Sequence, residues 1–190
     1  MNYIKLMFNQ LIDYIYRSIK LDRSLYRNPE NFHDLSIFYA TIIIILNAVA
    51  GVIAATAIAA NTNYSPATDI VSVTVQTILD WAVLSILLYI IGTKIFHESG
   101  TKADLKKVFT VVGFAHSPGL LKIIVVVIPG LNFKLIMAFV FFTFFWFITS
   151  LTIGIKEALN FKSDMKSFGV ILIAFLIIAF IIYFILLFYL

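Results

Sequence analysis

The chain has 190 residues, of which 62% are hydrophobic and 13% charged, with 14 Lys and Arg against 10 Asp and Glu for a net charge of +4; its mean hydropathy is +1.01. Soluble domains average about half apolar and about a quarter charged, so this composition excludes one and leaves a single membrane domain with no separate soluble catalytic unit. The lack of cysteine excludes structural disulfides and Cys-based zinc sites.

Residues 1–36 form the one sizeable polar segment. Gln10 and Asp13 interrupt any apolar core there and no small-residue cleavage site follows, so the segment is expected to be retained rather than removed as a signal peptide. Ile4, Met7, Phe8, Leu11, Ile12, Ile15 and Ile19 recur at helical spacing, while Lys5, Asp13, Arg17 and Lys20 fall largely elsewhere. That spacing predicts an amphipathic helix lying in the membrane interface and ending near Asn28-Pro29. Lys5, Arg17, Lys20, Arg23 and Arg27 are the candidate contacts to lipid headgroups or to a cytosolic protein partner, each charge gaining about 1 kcal/mol near anionic lipid.

From residue 37 onward the sequence predicts an all-α, polytopic bundle of five transmembrane helices, with spans at about 37–60, 70–93, 108–128, 133–155 and 168–190. The first carries Asn47, then Gly51, Ala55 and Ala59 four apart, a small-residue stripe expected to face the bundle. A short connection containing Pro66 leads to the second, where Ser72, Gln76 and Asp80 share one helix face. A central Asp costs about 3 kcal/mol on an insertion scale, against roughly 4 to 8 kcal/mol gained from the Leu, Ile and Val residues between Ile70 and Ile91. The span therefore inserts, and Asp80 is expected to be protonated, hydrogen-bonded or paired with a cation. His97, in the charged loop that follows, reads as an ordinary exposed histidine because a metal site needs more ligands than one.

The third span contains Gly113-Phe114-Ala115-His116-Ser117-Pro118-Gly119. Pro118 removes a backbone donor and presses its ring against the carbonyl of Phe114, so a kink at Gly113, Pro118 and Gly119 is expected, with neighbouring helices supplying partners for the freed groups. His116 adds an ionisable ring at membrane depth, which points to a protein-facing site. Pro129-Gly130 is expected to end this span, with Leu131 and Asn132 as a tight turn into the fourth. The aromatic run at 139–147 reads as lipid-facing and packing surface, and the uncharged last span as peripheral.

At 1.5 Å per residue, Asp80 lies about 15 Å from the outer ends of the helices, His116 about 20 Å and Lys122 about 10 Å, with Asn47 near the level of His116. A buried polar cluster of Asn47, Gln76, Asp80, His116 and Lys122 follows. Such a cluster serves either as interhelical glue around the Pro118 kink or as a functional site. Twelve of the 14 basic residues fall in the N-terminal segment and the loops at 94–107 and 156–166. The positive-inside rule then places the N-terminus in the cytoplasm and the C-terminus outside; the isoleucine-rich composition and short polar arm point to a prokaryotic cell membrane.

The five-span order, Leu79-Asp80-Trp81, Gly92-Thr93-Lys94-Ile95-Phe96 and Gly113-Phe114-Ala115-His116-Ser117-Pro118-Gly119-Leu120-Leu121 together resemble the Yip1 domain, particularly its bacterial and archaeal branch, over roughly residues 35 to 190. The resemblance implies a five-span protein with a cytosolic N-terminus and no catalytic residues. Eukaryotic members act in vesicle trafficking between endoplasmic reticulum and Golgi, bind Rab-type GTPases and associate with one another. Where those members carry an Asp-Leu-Tyr-Gly-Pro type of segment, this chain has Asn31-Phe32-His33-Asp34-Leu35-Ser36.

The leading expectation is a non-enzymatic scaffold that self-associates through the Gly51 stripe and uses its N-terminal helix to recruit partners or shape the bilayer. The alternative is a small ion, proton or solute transporter or channel with a midplane site around Asp80 and His116. The three histidines lie at different depths and no paired carboxylates share a level, so an intramembrane enzyme is the least favoured class. No cofactor, metal or nucleic-acid partner is expected; membrane lipids are.

Overall fold

The structure, a computed structural model of the chain, describes residues 2–28, 32, 35–60, 69–101, 104–124, 128 and 133–189. Its helices are α1 Asn2–Ile19, α2 Arg23–Arg27, α3 Ser36–Ala60, α4 Ile70–Ile90, α5 Leu105–Ala115, α6 Phe133–Leu159 and α7 Asp164–Tyr189. A π turn, Ile91–Ile95, continues α4, and a 3-10 segment, Ser117–Ile123, follows α5. No strand occurs among the described residues. The expected turns at Pro29, Pro66 and Pro129-Gly130, with Leu131, Asn132 and His33, lie outside the described residues.

Side-chain caps set several helix starts. Asp69 accepts from the Val71 and Ser72 amides at 3.3 and 3.0 Å to begin α4. Asp104 accepts from the Lys106 amide at 3.1 Å to begin α5, and Asp22 from the Ser24 amide at 2.9 Å to begin α2. Each carboxylate takes up an amide that has no partner within its helix.

Among the described residues four helices, α3, α4 with its π turn, α6 and α7, are long and apolar enough to cross a membrane. Five were expected, and the difference lies in the third segment. In the described part of 108–128 the chain forms an 11-residue α5 and a 7-residue 3-10 segment rather than one kinked helix, each shorter than the about 20 residues a crossing helix needs. Pro118 is the cause: it has no N–H to offer the Phe114 carbonyl, and the chain tightens into three-residue turns. His116 N donates to Gly113 O at 3.1 Å and Gly119 N to His116 O at 2.9 Å. The path nonetheless leads from one end of the bundle to the other. Lys107 lies beside Glu157 near the end of α6, whereas Phe133 begins that 27-residue helix about 40 Å away.

This shortest apolar helix sits at the centre. Val108 and every residue from Thr110 to Ala115 are buried, with α3, α4 and α6 packed around α5. Gly113 lies inside α5 rather than at the break. A Cβ there would meet Ala40 Cβ at 2.5 Å, so glycine permits close approach of α3. Along α3 the bundle-facing small residues are Ala48, Ala50 and Ala54. The expected Gly51, Ala55 and Ala59 stripe is half-exposed, and a Cβ on Gly51 would touch nothing within 4 Å.

The N-terminal segment is folded onto the bundle. α1 ends at Ile19, earlier than the expected stop near Asn28, because Leu21 adopts a left-handed conformation at φ 57° and Asp22 N closes back onto Arg17 O at 2.9 Å. The short α2 then drives Leu25 and Tyr26, both fully buried, into the bundle, where the Tyr26 ring and Val111 close over Gly154. The apolar residues of α1 divide between two faces. Tyr14 is buried and Met7, Leu11 and Ile15 pack on the core, while Ile4, Phe8 and Ile12 are exposed.

Candidate functional site at the helix break

A broken helix leaves carbonyls without their usual donors, and the sequence supplies two replacements. The Phe114 carbonyl, which Pro118 cannot serve, accepts a hydrogen bond from Ser18 Oγ of α1 at 2.6 Å. The Val112 carbonyl, which the His116 amide would serve in a continuous helix, instead meets the His116 ring at Nδ1, 2.7 Å away. A carbonyl only accepts, so Nδ1 carries a proton and acts as the donor. The ring also packs on Phe147, centroids 4.5 Å apart.

Ser18 belongs to a buried hydroxyl cluster that ties three elements together. Tyr26 OH of α2 lies 2.9 Å from Ser18 Oγ and 2.8 Å from Ser150 Oγ of α6, with the two serines 3.3 Å apart. Burial pushes the Tyr26 phenol up to about 12, outweighing its hydrogen bonds with the two serines, so it stays neutral. One turn earlier on α6, Trp146 Nε1 donates to Ile19 O at 2.9 Å and closes the end of α1.

Beside the break is a cleft of about 260 Å³, lined by Asn47, His116, Gly119, Lys122, Val140, Thr143, Phe144 and Phe147. Three of the five residues expected in one polar cluster therefore meet: Asn47, His116 and Lys122. Asn47 Oδ1 is buried without a hydrogen-bond partner among the described residues, and a Cβ on Gly119 would collide with it. Gly119 is thus glycine because Asn47 occupies the space, not because of a kink. A larger groove of about 700 Å³ between α6 and α7 is mostly apolar, with Arg23 and Asp164 at its charged end.

Gln76 and Asp80 do not join the cleft. Both are exposed on the outer flank of α4, where Gln76 Nε2 donates to Asp80 Oδ1 at 2.8 Å. The face opposite theirs, with Trp81, Leu84, Ser85 and Leu88, is the buried one.

The basic residues of the N-terminal segment are mostly engaged within the chain. Arg17 bonds Asp22 at 2.9 Å and Asp13 at 3.4 Å, Arg23 bonds Asp164 at 2.8 Å, and Arg27 bonds Glu157 at 3.2 Å. Lys20 lies over the Tyr16 ring at 4.3 Å, and Lys5 is exposed. At the same charged end, Glu98 accepts from Lys166 Nζ at 2.9 Å and from the Lys162 amide at 3.2 Å, and Asn160 Nδ2 donates to Gly100 O at 3.1 Å. The loop after α4 is thereby fastened to the base of α7.

Ser18, Tyr26, Ser150, Thr143 and Trp146 were not singled out from sequence. The available signal was Ser18 itself, a hydroxyl on the apolar face of α1 at helical spacing from Leu11 and Tyr14. No group of three or more His, Cys, Asp or Glu residues able to hold a metal occurs among the described residues.

Long apolar helices around a buried, polar-patched break define an α-helical integral membrane protein. The family model for the Yip1 domain matches residues 22–187, and the chain belongs to the Yip1 family, whose members are generally non-enzymatic membrane proteins. The match opens at Asp22, the cap of α2, and runs to residue 187, two residues short of the end of α7, while leaving α1 outside. No curated protein and no solved structure matches the chain.

Proposed function

We propose that the protein is a non-enzymatic membrane scaffold that self-associates, with its N-terminus on the cytoplasmic side of a prokaryotic cell membrane and its C-terminus outside. The observation that carries this reading is the separation of the polar residues at membrane depth. A proton relay needs titratable groups in a chain, yet Asp80 faces away from the cleft that holds His116 and Lys122. The hydrogen bonds at the break act as glue: Ser18 and His116 satisfy stranded carbonyls, and Tyr26 and Ser150 lock α1 and α2 against α6.

In this reading the N-terminal segment is the working surface. Ile4, Phe8 and Ile12 form an exposed apolar row beside Lys5, the arrangement by which an interfacial helix contacts lipid or a cytosolic partner. The test against transport is proton flux in proteoliposomes, followed with an internal pH-sensitive dye. Wild type and Asp80→Asn are both expected to match empty liposomes. A pH-dependent flux that Asp80→Asn abolishes would overturn the scaffold in favour of a transporter.

A further inference from the structure

We propose that the outer face of α4 is the interface between two copies of this chain, packed about a twofold axis parallel to that helix; the inference rests on the scaffold reading and names its self-association surface. The first ground is depth. Gln76 and Asp80 lie about 9 and 15 Å along α4 from Ile70, well inside the Ile70–Ile95 stretch that is long and apolar enough to cross a membrane. Both are exposed, and their mutual bond uses one amide N–H and one carboxyl oxygen. The second amide N–H and the amide oxygen of Gln76 have no partner among the described residues. Facing lipid, an Asp near midspan alone costs about 3 kcal/mol, so a protein surface is the favourable neighbour.

The second ground is the shape of that face. Ser72, Gln76, Leu79, Val83, Ile86 and Ile90 are all exposed, and their spacing alternates between four and three residues, the 3.5-residue period of a left-handed coiled-coil seam. Two copies inserted with the same topology bring their α4 helices together in parallel, and a twofold axis sets like residues opposite each other. Gln76 then meets Gln76 of the second copy. Each amide keeps one N–H on its own Asp80 and gives the other to the opposing amide oxygen, so a reciprocal pair satisfies both glutamines. That self-complementarity selects a second copy over another partner. A buried amide on such a seam also fixes register.

The absence of native cysteine makes the test direct. Single variants Leu79→Cys and Val83→Cys on the seam, and Leu176→Cys on α7 as the control, are oxidised in membranes and run without reductant, alongside co-isolation of two differently tagged copies. Covalent dimer is expected at 79 and 83 and not at 176. Gln76→Leu, which inserts more readily than wild type, is expected to weaken association about tenfold, the size of two interhelical hydrogen bonds in lipid. Co-isolation without cross-links at 79 and 83 would overturn this interface and leave the scaffold standing. Loss of co-isolation altogether would overturn both.

Discussion

Ser18→Ala removes the side-chain donor to the Phe114 carbonyl and one member of the buried hydroxyl cluster, both in an apolar interior. A loss of about 1 to 3 kcal/mol is expected, read as a lowered midpoint of thermal unfolding in detergent. Gly119→Ala drives a methyl into Asn47 and is expected to cost about 1 to 3 kcal/mol by overpacking. Adding Asn47→Ala should recover most of that loss, a coupling that two unrelated defects would not show. The effect of Pro118 was legible in the sequence, since a missing N–H and a ring clash follow from covalent chemistry alone. The identity of the rescuer was not, because Ser18 lies 96 residues from Phe114 and only the fold brings them together.

At the scale of elements, the loop after α4 is held to the base of α7 by Glu98. The hydrogen bond from Lys166 holds the Glu98 carboxyl below its ordinary value of 4.5. A carboxyl lowered by folding adds stability above its unfolded pKa and loses it as pH falls through the folded one. Wild type is therefore expected to unfold at a higher temperature than Glu98→Gln at pH 7, with the gap closing as pH drops from about 4.5 downward. The positions of α3, α4, α6 and α7 were readable from hydropathy to within a few residues. The rotation of α4 was not. The spacing of Ser72, Gln76 and Asp80 put them on one face, and depth arithmetic gave their level. Inside a membrane, however, lipid and protein core are equally apolar, so periodicity does not say which face looks inward. The same degeneracy misdirected the Gly51 stripe.

For the whole molecule, the family match, the central position of α5 and the buried plug of α2 describe a unit in which the N-terminal segment completes the bundle. α1 alone lies outside the family match and shows an apolar row to its surroundings. A spin label on Phe8→Cys is expected to report oxygen accessibility typical of acyl chains near the headgroups, whereas a label on Asp13→Cys should report water; equal aqueous exposure at both would remove α1 from the membrane. The central claim, a self-associating scaffold, is tested most directly by extracting the protein from its membrane in polymer nanodiscs and measuring the mass of the particle. Complexes holding two or more chains for wild type, shifting toward one chain in the doubly substituted Gln76→Leu, Asp80→Leu protein, are the predicted result. Single chains throughout, at every protein density in the membrane, would contradict it.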